Sequence, residues 1–397
     1  MSTYYVALLG PILPAVAGPL GGDAMAIGLL FSTYSLAQFL TAPVLGALGD
    51  RYGRRTVLMF SLVSALIGFS IFTVGAVTGA GLWMLFLGWI IVGASDCWIA
   101  TAFSYVADTT APDIRTRFFA FLTAGIASAF VVGPATSGLF SAVGPTAPLF
   151  VLLTLISGAL IWGYRAMPES LPPAQRATTL SAAHMNPLSQ LRDVLRFPQL
   201  RLLLLAYLLF WPAVIALSSN MPTMLTDLAG WGAERIATVL MVYGALVVSM
   251  QLGVVPVLAR RYREINLAIV GAILSVVAFA ALATVPATHA APLVYLAVGI
   301  FGLGQPLVQT GMVATMSKSM DAGIQGRVQG AIAATMALAQ VVGPVIIGGL
   351  YQAAGPTIPY LVVAGLITVS IALMVLASPR LKHLGAHPPA VVAEPAT

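Results

Sequence analysis

The sequence predicts an all-α membrane protein with twelve transmembrane helices, and three observations support this fold class. First, 59% of the 397 residues are hydrophobic and only 8% are charged, whereas soluble domains carry roughly 25% charged residues. Second, the chain contains twelve apolar segments long enough to cross a bilayer. Third, the basic residues concentrate in alternate connections between those segments. The 18 basic residues form no patch, so membrane topology accounts for the net charge of +6 and no nucleic-acid partner is expected.

The twelve segments are apolar runs that end at charged residues or at Gly and Pro. A spanning helix needs about 20 such residues. The start of the first segment is the least defined boundary, because that segment begins almost at Met1. The segments lie near 3–20, 27–48, 57–77, 82–105, 117–142, 148–166, 201–224, 235–258, 266–286, 292–316, 328–353 and 359–378.

A polar stretch divides the segments into two sets of six. It contains PESLPPAQRATT and connects segments six and seven. The sequence therefore predicts four parts: an N-terminal six-helix bundle at 1–166, a cytoplasmic linker at 167–200, a C-terminal six-helix bundle at 201–378 and a disordered cytoplasmic tail, rich in Pro and Ala, at 379–397.

The two sets of six helices are related in sequence. VVGP at 131–134 recurs at 341–344, an offset of 210 residues, and Arg117 and Arg327 have the same offset. Two parallel repeats imply a pseudo-twofold axis along the membrane normal, with a central pathway between the repeats. This organisation is typical of secondary transporters.

The basic residues also predict the orientation of the chain. If the N-terminus is cytoplasmic, 17 of the 18 basic residues fall on the cytoplasmic side and only Arg235 falls on the other. An error of one helix would invert every later connection. The asymmetry therefore supports both the number of helices and a cytoplasmic location for both termini, in a multi-pass protein of the cell membrane.

Asp96 is the acidic residue that lies inside a predicted span, whereas the other eleven of the twelve acidic residues lie in loops, at helix ends or in tails. It is nine residues from Tyr105, about 14 Å along a helix. No basic residue lies at comparable depth, and an ionised carboxylate in the bilayer costs at least a few kcal/mol. Asp96 is therefore a candidate for proton coupling or for binding a cation. The structural alternative is a protonated side chain that donates to a backbone carbonyl or to Ser95.

Helical spacing predicts further cavity residues. Trp89, Gly93, Asp96, Ala100 and Phe103 share one face of segment four. A carboxylate flanked by aromatic rings suits a lipophilic cation, and ordinary packing of the rings is the alternative. The other candidates for the cavity wall are Tyr34 and Gln38 in segment two, Trp211 and Asn220 in segment seven, and Gln305 and Gln309 in segment ten. For the two glutamines, hydrogen bonding between helices explains the pattern equally well.

The connection after segment two reads GALGDRYGRR at 46–55 and resembles the loop motif of the major facilitator superfamily. The resemblance implies a gate that latches the cytoplasmic side in the outward-open state, with Asp50 near Gly326 and Arg54 near Asp108. A carboxylate is stabilised at a helix N-terminus, and Arg pairs strongly with acids. A solvated, positive-inside loop is the alternative. The gate residues are Asp50, Arg51, Arg54, Arg55 and Asp108.

Segment five carries small residues at helical spacing. Ala129, Gly133, Pro134 and Gly138 resemble the signature of the superfamily's drug/proton antiporters, with Ala129 and Ser137 at positions where that family usually has glycine. Small residues let helices approach closely, so tight packing alone is the alternative explanation.

Longer stretches, including GDRYGRRTVLMFSL and VADTTAPDIRTRFF, resemble the tetracycline/proton antiporter branch from about Pro11 to Gly349. This resemblance implies the major facilitator fold. Where that branch carries buried acids, this sequence has Tyr5, Gly68 and Ser275, and Trp89 replaces the helix-four arginine of antiporters. These departures argue against tetracycline as the substrate and against the branch's usual proton route.

Together these features predict a secondary active transporter that exports small hydrophobic or cationic drug-like molecules in exchange for protons, by alternating access. The alternatives are an uncoupled facilitator, an exporter of a small metabolite, and a non-transporting sensor or scaffold, against which the gate motif argues. The expected partners are a small-molecule substrate, protons and the lipid bilayer, and a monomer is expected. The sequence contains no GxxxxGK[ST], HExxH or GxSxG motif and only one cysteine, so no nucleotide, cofactor, metal or enzymatic activity is expected.

Overall fold

The computed structural model describes residues 2–172, 176, 200–320 and 325–382. Within these residues the chain forms twelve helices that are long and apolar enough to cross a membrane, which confirms the predicted fold class. The helices are α1 Ser2–Ala17, α2 Ala24–Tyr52, α3 Arg54–Thr78, α4 Leu82–Thr109, α5 Pro112–Ser141, α6 Ala147–Ala166, α7 Arg201–Ala229, α8 Ala233–Ala259, α9 Glu264–Thr288, α10 Ala291–Lys318, α11 Gln325–Ala354 and α12 Ile358–Lys382.

The connection between α2 and α3 is shorter than the sequence predicts. The helix α2 continues through Tyr52, and α3 begins at Arg54, so most of the motif at 46–55 is helical. The whole turn is made at Gly53, whose φ of 104° favours glycine. A methyl group at Gly53 would also lie only 2.2 Å from Glu169 Oε2.

Three helices depart from regular α geometry. The helix α4 is interrupted at Asp96 and Cys97, between Leu82–Ser95 and Trp98–Thr109. The helix α7 contains a π-helical turn at Ala216–Asn220, and α8 contains one at Met250–Val254. Such turns occur frequently at functional sites.

The buried apolar residues form two main cores. One core contains residues between Tyr4 and Ile156, together with Ala233, and the other contains residues between Leu200 and Ala377. The predicted linker and tail lie largely outside the described residues, at 173–175, 177–199 and 383–397. The division into four parts therefore stays a prediction.

The two sets of six helices pack tightly against each other at one end of the bundle. A methyl group at Gly28 of α2 would lie 2.3 Å from the Pro344 carbonyl oxygen of α11. On the opposite side, a methyl group at Gly138 of α5 would lie 2.9 Å from Ala237 Cβ of α8. We call this end the distal end, because the turn between α1 and α2 lies there. The other end, which carries the start of α1 and the turn at Gly53, is the proximal end.

The helices α2 and α11 are loosely packed at the proximal end. A methyl group at Gly46 of α2 or at Gly330 of α11 would meet no described atom within 4 Å. The packing of α2 against α11 is therefore tight at the distal end and loose at the proximal end, as in a bundle whose central space widens proximally.

Substituting Gly28 by Ala is expected to lower the melting temperature of the purified protein by several degrees. Overpacking against a rigid carbonyl costs about 1–3 kcal/mol. The matched control is Gly46→Ala in the same helix, which we expect to leave the melting temperature unchanged or slightly raised, because alanine is the better helix former. Equal effects of the two substitutions would contradict the distal closure.

Candidate functional site

The site is organised around the interruption of α4 at Asp96. The freed carbonyl oxygen of Ser95 accepts a hydrogen bond of 2.5 Å from Ser61 Oγ of α3. The freed amide of Trp98 donates to Asp96 Oδ1 at 3.3 Å. Aspartate side chains compete with helical hydrogen bonds in this manner. The backbone groups freed by the break thus have partners nearby. The break also lets the Asp96 carboxyl group point away from the face that it would occupy in a regular helix.

Two tyrosines donate to the same oxygen of Asp96. Tyr5 Oη of α1 donates to Asp96 Oδ2 at 2.9 Å, and Tyr34 Oη of α2 donates to that atom as well. The carboxyl group is only 3% exposed. In the described part of the chain it forms no ion pair. Its hydrogen-bonding needs are therefore met by neutral donors from three helices.

The expected alternative partner of Asp96 was Ser95 or a backbone carbonyl, and the structure gives a different result. Ser95 Oγ donates instead within its own helix, 3.0 Å from both the Ile91 and the Val92 carbonyl oxygens. The tyrosines are the partners because the helix break rotates Asp96 towards α1 and α2. Tyr5, known from the sequence only as a replacement for an acid, thus belongs to the site.

Trp89 is a support for the tyrosines and does not line the cavity, which corrects the sequence prediction. Its ring centroid lies 4.8 Å from that of Tyr34 and 6.3 Å from that of Tyr5. Phe69 and Phe72 of α3 pack around it as well. Since Trp89 is 2% exposed, it fixes the tyrosine rings from behind, within the core.

A cavity of about 300 Å³ lies between the two sets of helices and reaches Asp96. Its volume is at the lower limit of the range for sites of drug-sized molecules. Its wall is mostly apolar, with polar and aromatic groups from both sets. These groups are Thr3, Phe31, Tyr34, Ser35, Gln38, Asp96 and Phe130 from the first set, and Trp211, Ser218, Ser219, Tyr243 and Gln340 from the second.

The structure brings only some of the predicted cavity residues together. Tyr34, Gln38 and Trp211 line the cavity with Asp96. Asn220 is buried behind the wall, on the π-helical turn of α7, and its amide has no hydrogen-bond partner among the described residues.

The glutamines of α10 do not line this cavity either. Gln305 Nε2 donates to Gln309 Oε1 at 2.9 Å, so the two amides bond to each other along one helix. Neither the predicted cavity role nor a bond between helices describes this contact. The spacing of four residues along a helix explains it.

The predicted stripe along segment four is also corrected. Trp89 lies in the core, Asp96 on the central cavity, and Phe103 on a second cavity. The three residues diverge because the break at Asp96 and Cys97 changes the helical phase, which a count of residues along a continuous helix does not include.

The gate residues form a charged cluster at the proximal end. Arg54 lies 2.5 Å from Asp50 Oδ1 and 3.4 Å from Asp108 Oδ2, the second contact being the one that the family resemblance implies. Arg55 Nη2 donates to the Tyr164 carbonyl oxygen at 2.7 Å, and Arg51 lies over the ring of Tyr52. The surroundings of Gly326 lie outside the described side chains, so its approach to Asp50 stays a prediction.

Glu169 is a member of this cluster that the sequence analysis missed. Its Oε1 accepts hydrogen bonds from the amides of Arg55, Ser170 and Leu171. Ser170 Oγ in turn donates to Asp108 Oδ2 at 3.3 Å. The segment after α6 is therefore attached to the turn at Gly53. In the sequence, an acidic residue followed by serine, Glu169 and Ser170, was the signal that could have indicated this contact.

The signature in α5 takes part in close helix packing. A methyl group at Gly133 would lie 2.8 Å from Ala7 Cβ of α1, and one at Gly138 would lie 2.9 Å from Ala237 Cβ of α8. Ala129 is buried in the first core, and Pro134 lines the central cavity. The motif thus places α5 between α1 and α8, beside the cavity.

Two six-helix sets around a central cavity with a buried carboxyl group define a secondary transporter. The family model described as Major Facilitator Superfamily matches residues 1–344. The chain belongs to the Major Facilitator Superfamily and is a multi-pass transporter of the cell membrane rather than an enzyme.

Curated relatives cover most of the chain. Tetracycline resistance protein, class C, of Escherichia coli is 31% identical over 360 residues, which cover 89% of this chain and 87% of that protein. The class B protein of Escherichia coli is 26% identical over 354 residues, with coverage of 87% and 85%. Major facilitator superfamily domain-containing protein 10 of Bos taurus is 27% identical over 384 residues, with coverage of 91% and 80%.

Solved structures show the same fold. The human organic anion transporter MFSD10 aligns with a TM-score of 0.66 at 20% identity, covering 94% of this chain and 98% of that one. A D-xylose-proton symporter aligns with a TM-score of 0.74 at 14% identity, covering 94% and 93%. At these identities the alignments support the fold alone.

The accessibility of the cavity can be tested with thiol reagents, since Cys97 is the only cysteine. Its Sγ lies 3.3 Å from Ser61 Oγ, and it packs with Leu45 and Val57 between α2 and α3. We expect Cys97 to react slowly with N-ethylmaleimide. Ile99→Cys, introduced into Cys97→Ser protein, is expected to react at least tenfold faster, because Ile99 lines the cavity.

Two controls accompany this comparison. Cys97→Ser alone gives the background labelling by N-ethylmaleimide. Denatured wild-type protein shows that Cys97 reacts once the surrounding helices are unfolded. Equal rates for native Cys97 and for the cysteine at position 99 would contradict the assigned cavity wall.

Proposed function

We propose that this transporter exports small hydrophobic or cationic drug-like molecules in exchange for protons, with Asp96 as the coupling residue. We further propose that both termini are cytoplasmic, as the distribution of basic residues indicates. In this orientation the proximal end faces the cytoplasm, and the cavity is open to the cytoplasm.

The observation that carries this proposal is the position of Asp96. It is an acid at membrane depth, on the wall of the cavity, without an ion pair among the described residues. Ionisable groups inside a membrane are costly and mark proton or substrate pathways. The tyrosine donors support a role in proton exchange, because they can hydrogen-bond to the carboxyl group in either protonation state.

Competition between a proton and the substrate for the Asp96 carboxyl group would couple proton movement to substrate movement. Asp96 can hold a proton or pair with a cationic group of the substrate, and release of one makes room for the other. Tight distal and loose proximal packing of α2 against α11 fits rocking of the two sets about the cavity. The cluster of Asp50, Arg54 and Asp108 would then close the cytoplasmic side in the opposite state.

The relatives support export more than they support a particular substrate. Several are named tetracycline resistance proteins, and one solved structure is named an organic anion transporter. This chain differs at the positions where the tetracycline branch carries buried acids, with Tyr5, Gly68 and Ser275. The hydrogen bond from Tyr5 to Asp96 suggests that the acid has moved from helix α1 to helix α4, where a tyrosine now holds it.

An uncoupled facilitator is the second candidate function. The observation that favours it is the loss of the branch's usual acids, which leaves Asp96 as a binding group without a proton role. A non-transporting scaffold is disfavoured, because a scaffold has no need of a charged gate or of a cavity that opens at one end.

Asp96→Asn is expected to abolish substrate-driven proton movement in proteoliposomes that contain a pH-sensitive dye. Ethidium, chloramphenicol and tetracycline serve as a cationic, a neutral and a zwitterionic probe. The amide keeps the shape of the side chain but cannot exchange a proton, so we expect at least a tenfold loss. The matched control is Asp227→Asn, because Asp227 also accepts from a tyrosine, Tyr351, at an exposed position.

The outcomes separate the candidate functions. Proton movement in the wild type and in Asp227→Asn, but not in folded Asp96→Asn, supports coupling. Probe movement without proton movement in the wild type would instead identify a facilitator. Full proton movement in Asp96→Asn would exclude Asp96 as the coupling residue.

Tyr5→Phe and Tyr34→Phe are each expected to lower the transport rate about tenfold, because a hydrogen bond to a charged group contributes about 1.5–3 kcal/mol. The double variant should resemble Asp96→Asn. Tyr351→Phe is the matched control and should transport normally. Wild-type rates in both single variants, measured in the same liposomes, would show that the tyrosines do not act through Asp96.

A further inference from the structure

A second cavity of about 530 Å³ adjoins the first on the proximal side of Asp96. Its described lining residues belong to α1, to the part of α4 after the break, and to α5. Five of them are the aromatic residues Tyr4, Trp98, Phe103, Phe118 and Phe121. The volume lies within the range of about 300–1,000 Å³ that is typical of sites for drug-sized molecules.

The two cavities meet beside the tyrosine–aspartate pair. Thr3 and Ile99 line both of them. Thr3 lies two residues before Tyr5, and Ile99 lies three residues after Asp96. Since Tyr5 and Asp96 are hydrogen-bonded to each other, a molecule that leaves the second cavity past these residues arrives at the carboxyl group.

The chemistry of the second cavity differs from that of the first. Its described lining contains no charged side chain, and its polar groups are limited to the hydroxyls of Thr3, Tyr4 and Ser128 and the indole N–H of Trp98. The ring of Phe103 packs edge-on against Phe119, with centroids 5.1 Å apart, so its orientation is fixed. A site of this kind favours flat aromatic groups, and its described lining offers no carboxylate with which a cation could pair.

We propose that the second cavity is a binding site for small, uncharged aromatic molecules or the aromatic part of a larger one, occupied before the molecule reaches Asp96. The order of occupation rests on the transport function proposed above. The binding site itself rests only on the volume, the rings and the junction at Thr3 and Ile99. A separate binding site explains why Phe103 lies apart from Asp96 in spite of their helical spacing.

Photolabelling with benzophenone tests the site in the purified full chain, reconstituted in lipid nanodiscs. We expect adducts within 98–106 and 118–132 that saturate with benzophenone concentration. An excess of diphenylmethane, which has the same two rings without the photoreactive carbonyl group, should compete for them. Adducts are located by mass spectrometry of peptides.

Variants distinguish the site from simple partition into lipid. Phe103→Ala should lower the saturable labelling about two- to tenfold, in line with the contribution of one aromatic pair. Phe103→Leu, which retains most of the volume, should lower it as well and serves if the alanine variant does not fold. Phe150→Ala is the control, because Phe150 is an exposed ring of α6 that lines neither cavity.

The failure of this proposal can be told from the failure of the proposed function. Asp96→Asn should leave the labelling unchanged, even where it abolishes transport. Labelling that does not saturate, or that occurs equally around Phe150, would identify lipid partition and overturn the proposal. Unchanged labelling in folded Phe103→Ala or folded Phe103→Leu would overturn it as well.

Discussion

A carboxyl group at membrane depth must replace the hydrogen bonds that water would give it, and two tyrosines do this for Asp96. An unsatisfied group of this kind is expensive in a low-dielectric interior. The tyrosines come from α1 and α2, and the acid comes from α4, so one oxygen atom ties three helices together. Trp89 holds both rings in place from the core. The position of the cavity wall follows from these contacts.

The interruption of α4 is the second part of the same arrangement. A regular helix would bond the Ser95 carbonyl and the Trp98 amide internally, and Asp96 would stay in phase with Trp89 and Phe103. The break releases both backbone groups, and Ser61 together with the Asp96 side chain satisfies them. The acid can therefore face the central cavity while the aromatic residues that follow it face another.

The fold and the buried acid could be predicted from the sequence, whereas the residues that surround the acid could not. Apolar segment length and the distribution of charge were enough for twelve helices, because the bilayer imposes both directly. Asp96 stood out because charges are rare at that depth. Tyr5 and Glu169 were missed because their roles depend on contacts 91 and 114 residues away along the chain. Trp89 and Phe103 were placed on one face with Asp96 because no residue pattern marked the helix break.

The two halves that are related by the offset of 210 residues carry different side-chain chemistry at equivalent positions. Tyr5, Tyr34 and Asp96 correspond by this offset to Ile215, Gly244 and Pro306, none of which can exchange a proton. Gly244 is instead the point at which α8 comes closest to the Phe130 backbone. Positions 34 and 244, which are related by the offset, thus hold a hydrogen-bonding ring in the first half and a close backbone contact in the second. Among these six positions the ionisable groups lie only in the first half, so a substitution at a second-half position can change packing without removing a hydrogen bond to Asp96.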